Sequence, residues 1–267
     1  MMQNPLPDIN RFNSEPRLSI LDDFGQMRNA GACLAHTVLA ENGQQYIIKG
    51  PKLTPQMPYV AANEYIAASL ARLLGLPVLD FCLAELGDQL FFASLAMPDQ
   101  TFYQITTEDL FLRCENVERV YALLIFDAWI CNEDRHERNL LVRRVPATGN
   151  QERLLLLLND HSHCLMDPCS GVSPLPDRLS SSVSRYCRLD FLRSSIKVAA
   201  RLSSELEAVE RIKSAKISEA VHATPDDWLR QDEKDAVEAF LLERRTRLRS
   251  ILAHERSSFS NLGSGII

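Results

Sequence analysis

The chain has 267 residues, 46% hydrophobic and 24% charged, with 29 Lys+Arg against 35 Asp+Glu and a formal net charge of -6. That length suffices for one large or two small domains with a sizeable core. An acidic chain without a dense basic stripe argues against direct nucleic-acid binding, and no apolar run approaches the ~18–20 residues of a bilayer span.

Residues 1–28 are polar and Pro-containing and read as a weakly ordered lead-in or edge segment. They lack the basic-then-apolar plan of a signal peptide. Residues 32–40 (ACLAHTVLA) and 44–49 (QQYIIK) are strand-like, and Glu41-Asn42-Gly43 between them is a hairpin signal. Residues 63–78 (NEYIAASLARLLGLPV) predict a helix. Asn63 is its candidate cap, Ile66, Leu70, Leu73 and Leu74 recur at helical spacing, and Gly75 followed by Pro77 stops it. Residues 78–86 and 89–97 are two more strand candidates, joined at Gly87-Asp88. Residues 1–97 therefore predict a small antiparallel sheet plus one helix.

Beyond about residue 115 the pattern turns mostly helical. Residues 116–131 (NVERVYALLIFDAWIC) are apolar nearly all round, as in a helix buried in a core, with Phe126 and Trp129 as core residues. Residues 138–144 and 153–158 are strand-like arms around 146–150, a predicted hairpin. Residues 168–184 hold three prolines, one glycine and six serines and read as an irregular loop. Two or three helices end the chain, the last near 232–255, where Arg244, Arg245, Arg247 and Arg249 suit the macrodipole and form a solvated face. Seven scattered cysteines form no disulfide framework, so a cytoplasmic protein is expected. Charge divides at the same place as the pattern. Residues 1–115 carry 7 basic and 13 acidic side chains and the remainder 22 of each, which predicts two lobes meeting near residue 115.

The sharpest chemical feature is NEDRHERNLLV at 132–142, straight after the buried helix. So many polar groups there make sense if they face a ligand. Asp134 and Asn139 are five apart, the offset of the Asp and Asn in the protein-kinase catalytic loop. In that loop the Asp accepts the substrate hydroxyl proton and the Asn holds Mg²⁺. The apolar strand 154–158 runs into Asp160, where kinase-like folds present a second metal-binding carboxylate, although a turn cap explains it as well by itself. Lys49 ends the strand YIIK, and Glu64 follows 15 residues later in the helix. Such a pair can hold nucleotide phosphates. Each residue alone reads equally as a solvated Lys and a helix-dipole Glu.

NEYIAASLARLLGLPV, YIIKG at 46–50, FDAWICNEDRHERNLLV at 126–142 and LNDHSHCL at 158–165 together resemble the HipA-like kinases, over roughly residues 29–165. The chain resembles the compact type, without the extra N-terminal subdomain of the longer toxins. The resemblance implies an α+β, two-lobed protein-kinase-like fold related also to phosphoinositide kinases. An extension at 1–28 would precede a small antiparallel-sheet N-lobe with one helix at 29–115 and a larger, mostly helical C-lobe at 116–267. It implies ATP and Mg²⁺ as cofactors, Asp134 as catalytic base, His136 holding the catalytic loop, and Asn139 and Asp160 on the metal. Lys49 would contact ATP phosphates with Glu64 orienting it. Adenine would lie against a hinge near Ser94 and Met97. Gly31, in Asn29-Ala30-Gly31-Ala32, stands where protein kinases keep a fuller glycine loop.

The expected activity is phosphoryl transfer to a hydroxyl, first of all by a Ser/Thr protein kinase. A lipid or small-molecule acceptor and a nucleotide-binding pseudokinase scaffold are the alternatives. The expected partners are a protein substrate and an antitoxin-like or regulatory protein, with no direct nucleic-acid contact. The spacing His161, His163, Cys164, Cys169 hints weakly at zinc, without a second ligand pair. The serine-rich stretch sits where a kinase keeps its activation segment, and reads first as a flexible loop.

Overall fold

The computed structural model describes residues 17–26, 33–96, 102–104, 108–145, 152–182 and 198–254. Strands β1 (Leu18–Gln26), β2 (His36–Ala40), β3 (Gln45–Lys49), β4 (Phe81–Leu86) and β5 (Gln89–Leu95) close a barrel in the order β1-β2-β3-β5-β4. Period-two alternation turns Val38, Ala40, Tyr46 and Ile48 inward, where they pack with Cys82, Ala84, Phe91 and Ala93. The hairpin predicted at Glu41-Asn42-Gly43 is present, and the two strand candidates that follow pair as a second one. In the second, Leu86 pairs with Gln89 across Gly87-Asp88.

The segment read as a lead-in supplies β1, so the sheet is closed and not simply antiparallel. β1 pairs antiparallel with β2 and parallel with β4. Two register breaks against β2 and four consecutive exposed residues, 21–24, erase the alternation by which a strand is recognised.

Helix α1 (Val60–Leu73) is buried continuously from Val60 to Ala71. It begins three residues before the predicted cap. Asn63 lies inside it and spends its amide on another segment, donating to the carbonyls of Ser162 and Met166 at 2.9 and 3.0 Å. Gly75, at φ +62°, ends the helix as its sequence implies.

Strands β6 (Phe102–Gln104), β7 (Leu140–Val145) and β8 (Arg153–Leu158) form a second, antiparallel sheet in chain order. The helices are α2 (Glu108–Leu112), α3 (Val120–Trp129), α4 (Leu175–Arg178), α5 (Ala199–Glu210), α6 (Ser214–His222) and α7 (Gln231–His254). α4 is a single turn within the stretch read as irregular. Every residue of α3 is buried, and Trp129 Nε1 donates to Leu241 O of α7 at 2.9 Å. The α7 arginines are not a uniform solvated face. Arg244 is fully buried and donates to the carbonyls of Ala128, Arg178, Leu179 and Ser181, and Arg249 pairs with Glu210. Among the described residues no helix is long and apolar enough to cross a membrane.

One seam positions the site. Leu158 N donates to Pro77 O at 2.7 Å, and Val78 bridges Leu158. The end of β8 is thereby tied to the chain that runs from α1 into β4.

Candidate functional site

The turn 132–139 is built around a charge that a buried helix cannot leave unpaired. Asp127 is the single charged residue of α3 and is buried. Arg135 answers it with two bonds, Nε to Oδ2 at 2.9 Å and Nη2 to Oδ1 at 3.0 Å. Its Nη1 donates to the carbonyls of Asn139 and Asn159, both at 2.9 Å. One guanidinium thus fixes the turn and the end of β8 together. Asn132 also donates to Asp127, and accepts from the Asp134 N–H. Asn139 Nδ2 donates to Asp134 O at 2.8 Å, and His136 Nδ1 accepts from Arg138 N at 3.2 Å. His136 Nε2 lies 3.7 Å from Asp134 Oδ2.

The second half of the site is ionic. Lys49 Nζ is 2.5 Å from Glu64 Oε1, 3.1 Å from Asp160 Oδ1 and 3.0 Å from Ser162 Oγ. Glu64 is further held by the His161 N–H at 2.9 Å. Asp160 has φ +57°, a left-handed conformation that Asp tolerates better than most residues. Burial opposes the Lys49 charge, but Asp160 and Glu64 outweigh it and hold the ammonium well above its usual pKa. Burial likewise opposes the Asp160 charge; Lys49 and two donors from Ser162 outweigh it and hold the carboxyl far below the usual carboxylate range. Glu64 is lowered on the same balance, burial being overcome by Lys49.

Lys49, Glu64, Ser94, Asp134, His136, Asn139 and Asp160 all line one cavity of about 470 Å³. That volume lies within the range of about 300–1,000 Å³ usual for small-ligand pockets. Ser94 sits on β5 opposite Ile47 and Phe81. Gly31 and Met97 lie outside the described residues. Apolar side chains, among them Ile47, Ala68, Val78, Phe92 and Leu158, line the cavity as well.

Among the oxygens there without a protein partner in the described residues are one of Asp160 and one of Asn139. Asp160 Oδ1 takes all three donors offered to that carboxylate, from Lys49 Nζ, Ser162 Oγ and Ser162 N, which leaves Oδ2 without one. Asn139 gives its Nδ2 to Asp134 O, which leaves its amide oxygen without one. Oxygen donors of this kind suit a hard divalent cation. No group of three or more His, Cys, Asp or Glu side chains among the described residues could hold a metal alone. Cys164 is buried with its thiol on Asn63 O, and Cys169 is exposed.

The sequence reading missed Arg135, Asn63, Ser162 and Cys33. Asp127, a lone charge in an apolar helix, was the available signal for Arg135, because such a group demands a partner. Cys33 lines the cavity, and burial raises its thiol pKa. Nothing local in the sequence marks Asn63, whose partners lie about a hundred residues away; Ser162 bonds Asp160 two residues back, and only its contacts with Glu64 and Lys49 are distant.

A family model described as HipA-like kinase matches residues 24–259. No curated protein matches the sequence. Two of the solved structures that match carry the fold comparison. One is a proinflammatory kinase of Helicobacter pylori, CtkA, at 16% identity and a TM-score of 0.60, covering 92% of this chain and 100% of that one. The other is HipA from Shewanella oneidensis MR-1, in a toxin–antitoxin complex with HipB and operator DNA. It has 16% identity and a TM-score of 0.51, and the match covers 86% of this chain and 68% of that one. The chain belongs to the HipA-like kinase family and is a kinase.

Proposed function

We propose that this kinase transfers the γ-phosphoryl group of ATP, with Mg²⁺, to a Ser or Thr hydroxyl of a protein. The observation that carries the reading is convergence. Lys49, Glu64, Asp134, Asn139 and Asp160, from four separate stretches of chain, meet at one cavity that also has an apolar lining. On this reading residues 29–115, joined by β1 from the 1–28 segment, form the smaller, nucleotide-holding lobe and residues 116–267 the larger one.

Asp134 accepts the proton of the attacking hydroxyl. A bond forms between that oxygen and the γ-phosphorus as the bond to the β–γ bridging oxygen breaks, and ADP leaves. Lys49, held by Glu64, engages the phosphates, while the apolar lining near Ser94 takes the adenine. The Asn139 amide oxygen and Asp160 Oδ2 would hold Mg²⁺, which supplies charge neutralisation on the phosphates when bound. The protein's share of catalysis is positioning and electrostatics. Gly31 and Met97 would belong to the phosphate-covering loop and the hinge. A regulatory protein of the antitoxin kind is the expected partner, by family membership alone.

The test is label transfer from γ-labelled ATP with Mg²⁺ to the protein itself or to a cell extract, beside Asp134→Ala and Asp160→Ala. Transfer lost in both variants supports the reading. Nucleotide binding without turnover in the wild type would replace it with a scaffold. Transfer to a lipid or small molecule, and not to protein, would move the acceptor. No metal-dependent nucleotide binding at all would overturn it.

A further inference from the structure

Ser162 stands between two of the carboxylates of the cavity, Glu64 and Asp160. Its Oγ is 2.6 Å from Asp160 Oδ1, 2.9 Å from Glu64 Oε1 and 3.0 Å from Lys49 Nζ, and the residue is only 1% exposed. A hydroxyl has one proton to donate and lone pairs to accept with. Lys49 donates to it, so its own proton goes to one carboxylate at a time. The main-chain N–H of Ser162 is a second donor to Asp160 Oδ1, at 3.1 Å. Its carbonyl is gripped by Asn63 of α1, so both donors are anchored to a buried helix.

The Asp160 side chain is 31% exposed, enough to turn without such restraint. Lys49 also reaches Oδ1, but an ammonium that engages a phosphate chain cannot serve Asp160 equally. The Ser162 N–H faces no such competition, and the hydroxyl is shared only with Glu64.

We propose that Ser162 is a positioning residue: its hydroxyl and amide hold Asp160 Oδ1 and leave Oδ2 as the oxygen presented to the metal ion. The proposal rests on Asp160 being a metal ligand, as in the function proposed above. Partners that orient a metal ligand are commonly worth about 10–100-fold in metal affinity.

The experiment measures ADP binding by calorimetry over a Mn²⁺ titration, for the wild type, Ser162→Ala, Ser162→Gly and Ser162→Thr, with thermal midpoints alongside. The Mn²⁺ concentration that half-saturates the tightening of ADP binding should rise by about 10–100-fold in the Ala and Gly variants. Metal-free ADP affinity should stay at the wild-type level, and Thr, which keeps the hydroxyl, should restore the metal response. Wild-type Mn²⁺ dependence in both Ala and Gly overturns the proposal. So does a parallel fall in thermal midpoint and metal-free ADP affinity, the mark of a general structural loss. If the wild type itself shows no Mn²⁺ effect on ADP, the role of Asp160 fails first and the proposal with it.

Discussion

Two charge clusters flank the turn 132–139, and they follow opposite rules. Behind the turn, Asp127 and Arg135 are 3% and 1% exposed, joined by two parallel bonds, one charge against one. At the cavity, Lys49 faces two carboxylates, Glu64 and Asp160, and one oxygen of Asp160 has no partner among the described residues. The sealed cluster is balanced and nearly saturated with hydrogen bonds. The open one keeps a surplus negative charge beside a cavity. A buried ion pair adds little net stability over apolar packing, but breaking it is costly. The first cluster is therefore a fastener for the turn. The second is a site whose imbalance a cation can correct.

Removing Arg135 is the strongest way to break this comparison. Arg135→Ala leaves Asp127 charged, buried and without its cation, and frees the carbonyls of Asn139 and Asn159. It should cost about 3–5 kcal/mol of unfolding free energy, measured by chemical denaturation. Arg135→Lys keeps the charge but loses the two-pronged geometry, and should fall between the two. Wild-type stability in the Ala variant would show that the cluster fastens nothing.

Asp160→Asn tests the open cluster. The amide retains an acceptor for Ser162, and Lys49 keeps Glu64 at 2.5 Å, so unfolding free energy should change by less than about 1 kcal/mol, as for partly exposed pairs. Metal-dependent tightening of nucleotide binding should nevertheless disappear, as calorimetry with ADP and Mn²⁺ would read directly. A stability loss matching that of Arg135→Ala would erase the distinction between the clusters.

What was legible in the sequence follows from how each feature is encoded. Strands β2 to β5 and the stop at Gly75 are local signals, written in alternation, turn residues and a left-handed glycine. The spacing of Asp134 and Asn139 is likewise local, and both line the cavity. β1 was not legible, because its register breaks and its parallel contact with β4 belong to the closed barrel and not to the strand. Asn63 misled for a related reason. An Asn near a helix start suggests a cap, yet this one faces the loop after β8, a hundred residues on. Arg244 reads as one of a row of surface arginines, and only the packing of α7 over the end of α3 turns it inward to four carbonyls.

Acid titration of stability is the smallest effect and separates the clusters most finely. Asp160 and Glu64 both hold their protons less tightly in the folded protein than in the unfolded chain. Below about pH 4–5 the unfolded state therefore takes up protons first, and stability falls as pH falls. Their contribution is complete at neutral pH and is lost on the acid side only. Asp160→Asn removes one of the two lowered groups and spares Glu64, whose pairing with Lys49 persists. Thermal midpoints between about pH 7 and pH 3 should thus decline less steeply in Asp160→Asn than in the wild type, with the curves converging toward low pH. Parallel curves would mean that Asp160 is not held ionised by Lys49 and Ser162. The surplus charge of the open cluster would then exist only on paper, and with it the reason for reading that cluster differently from the sealed one.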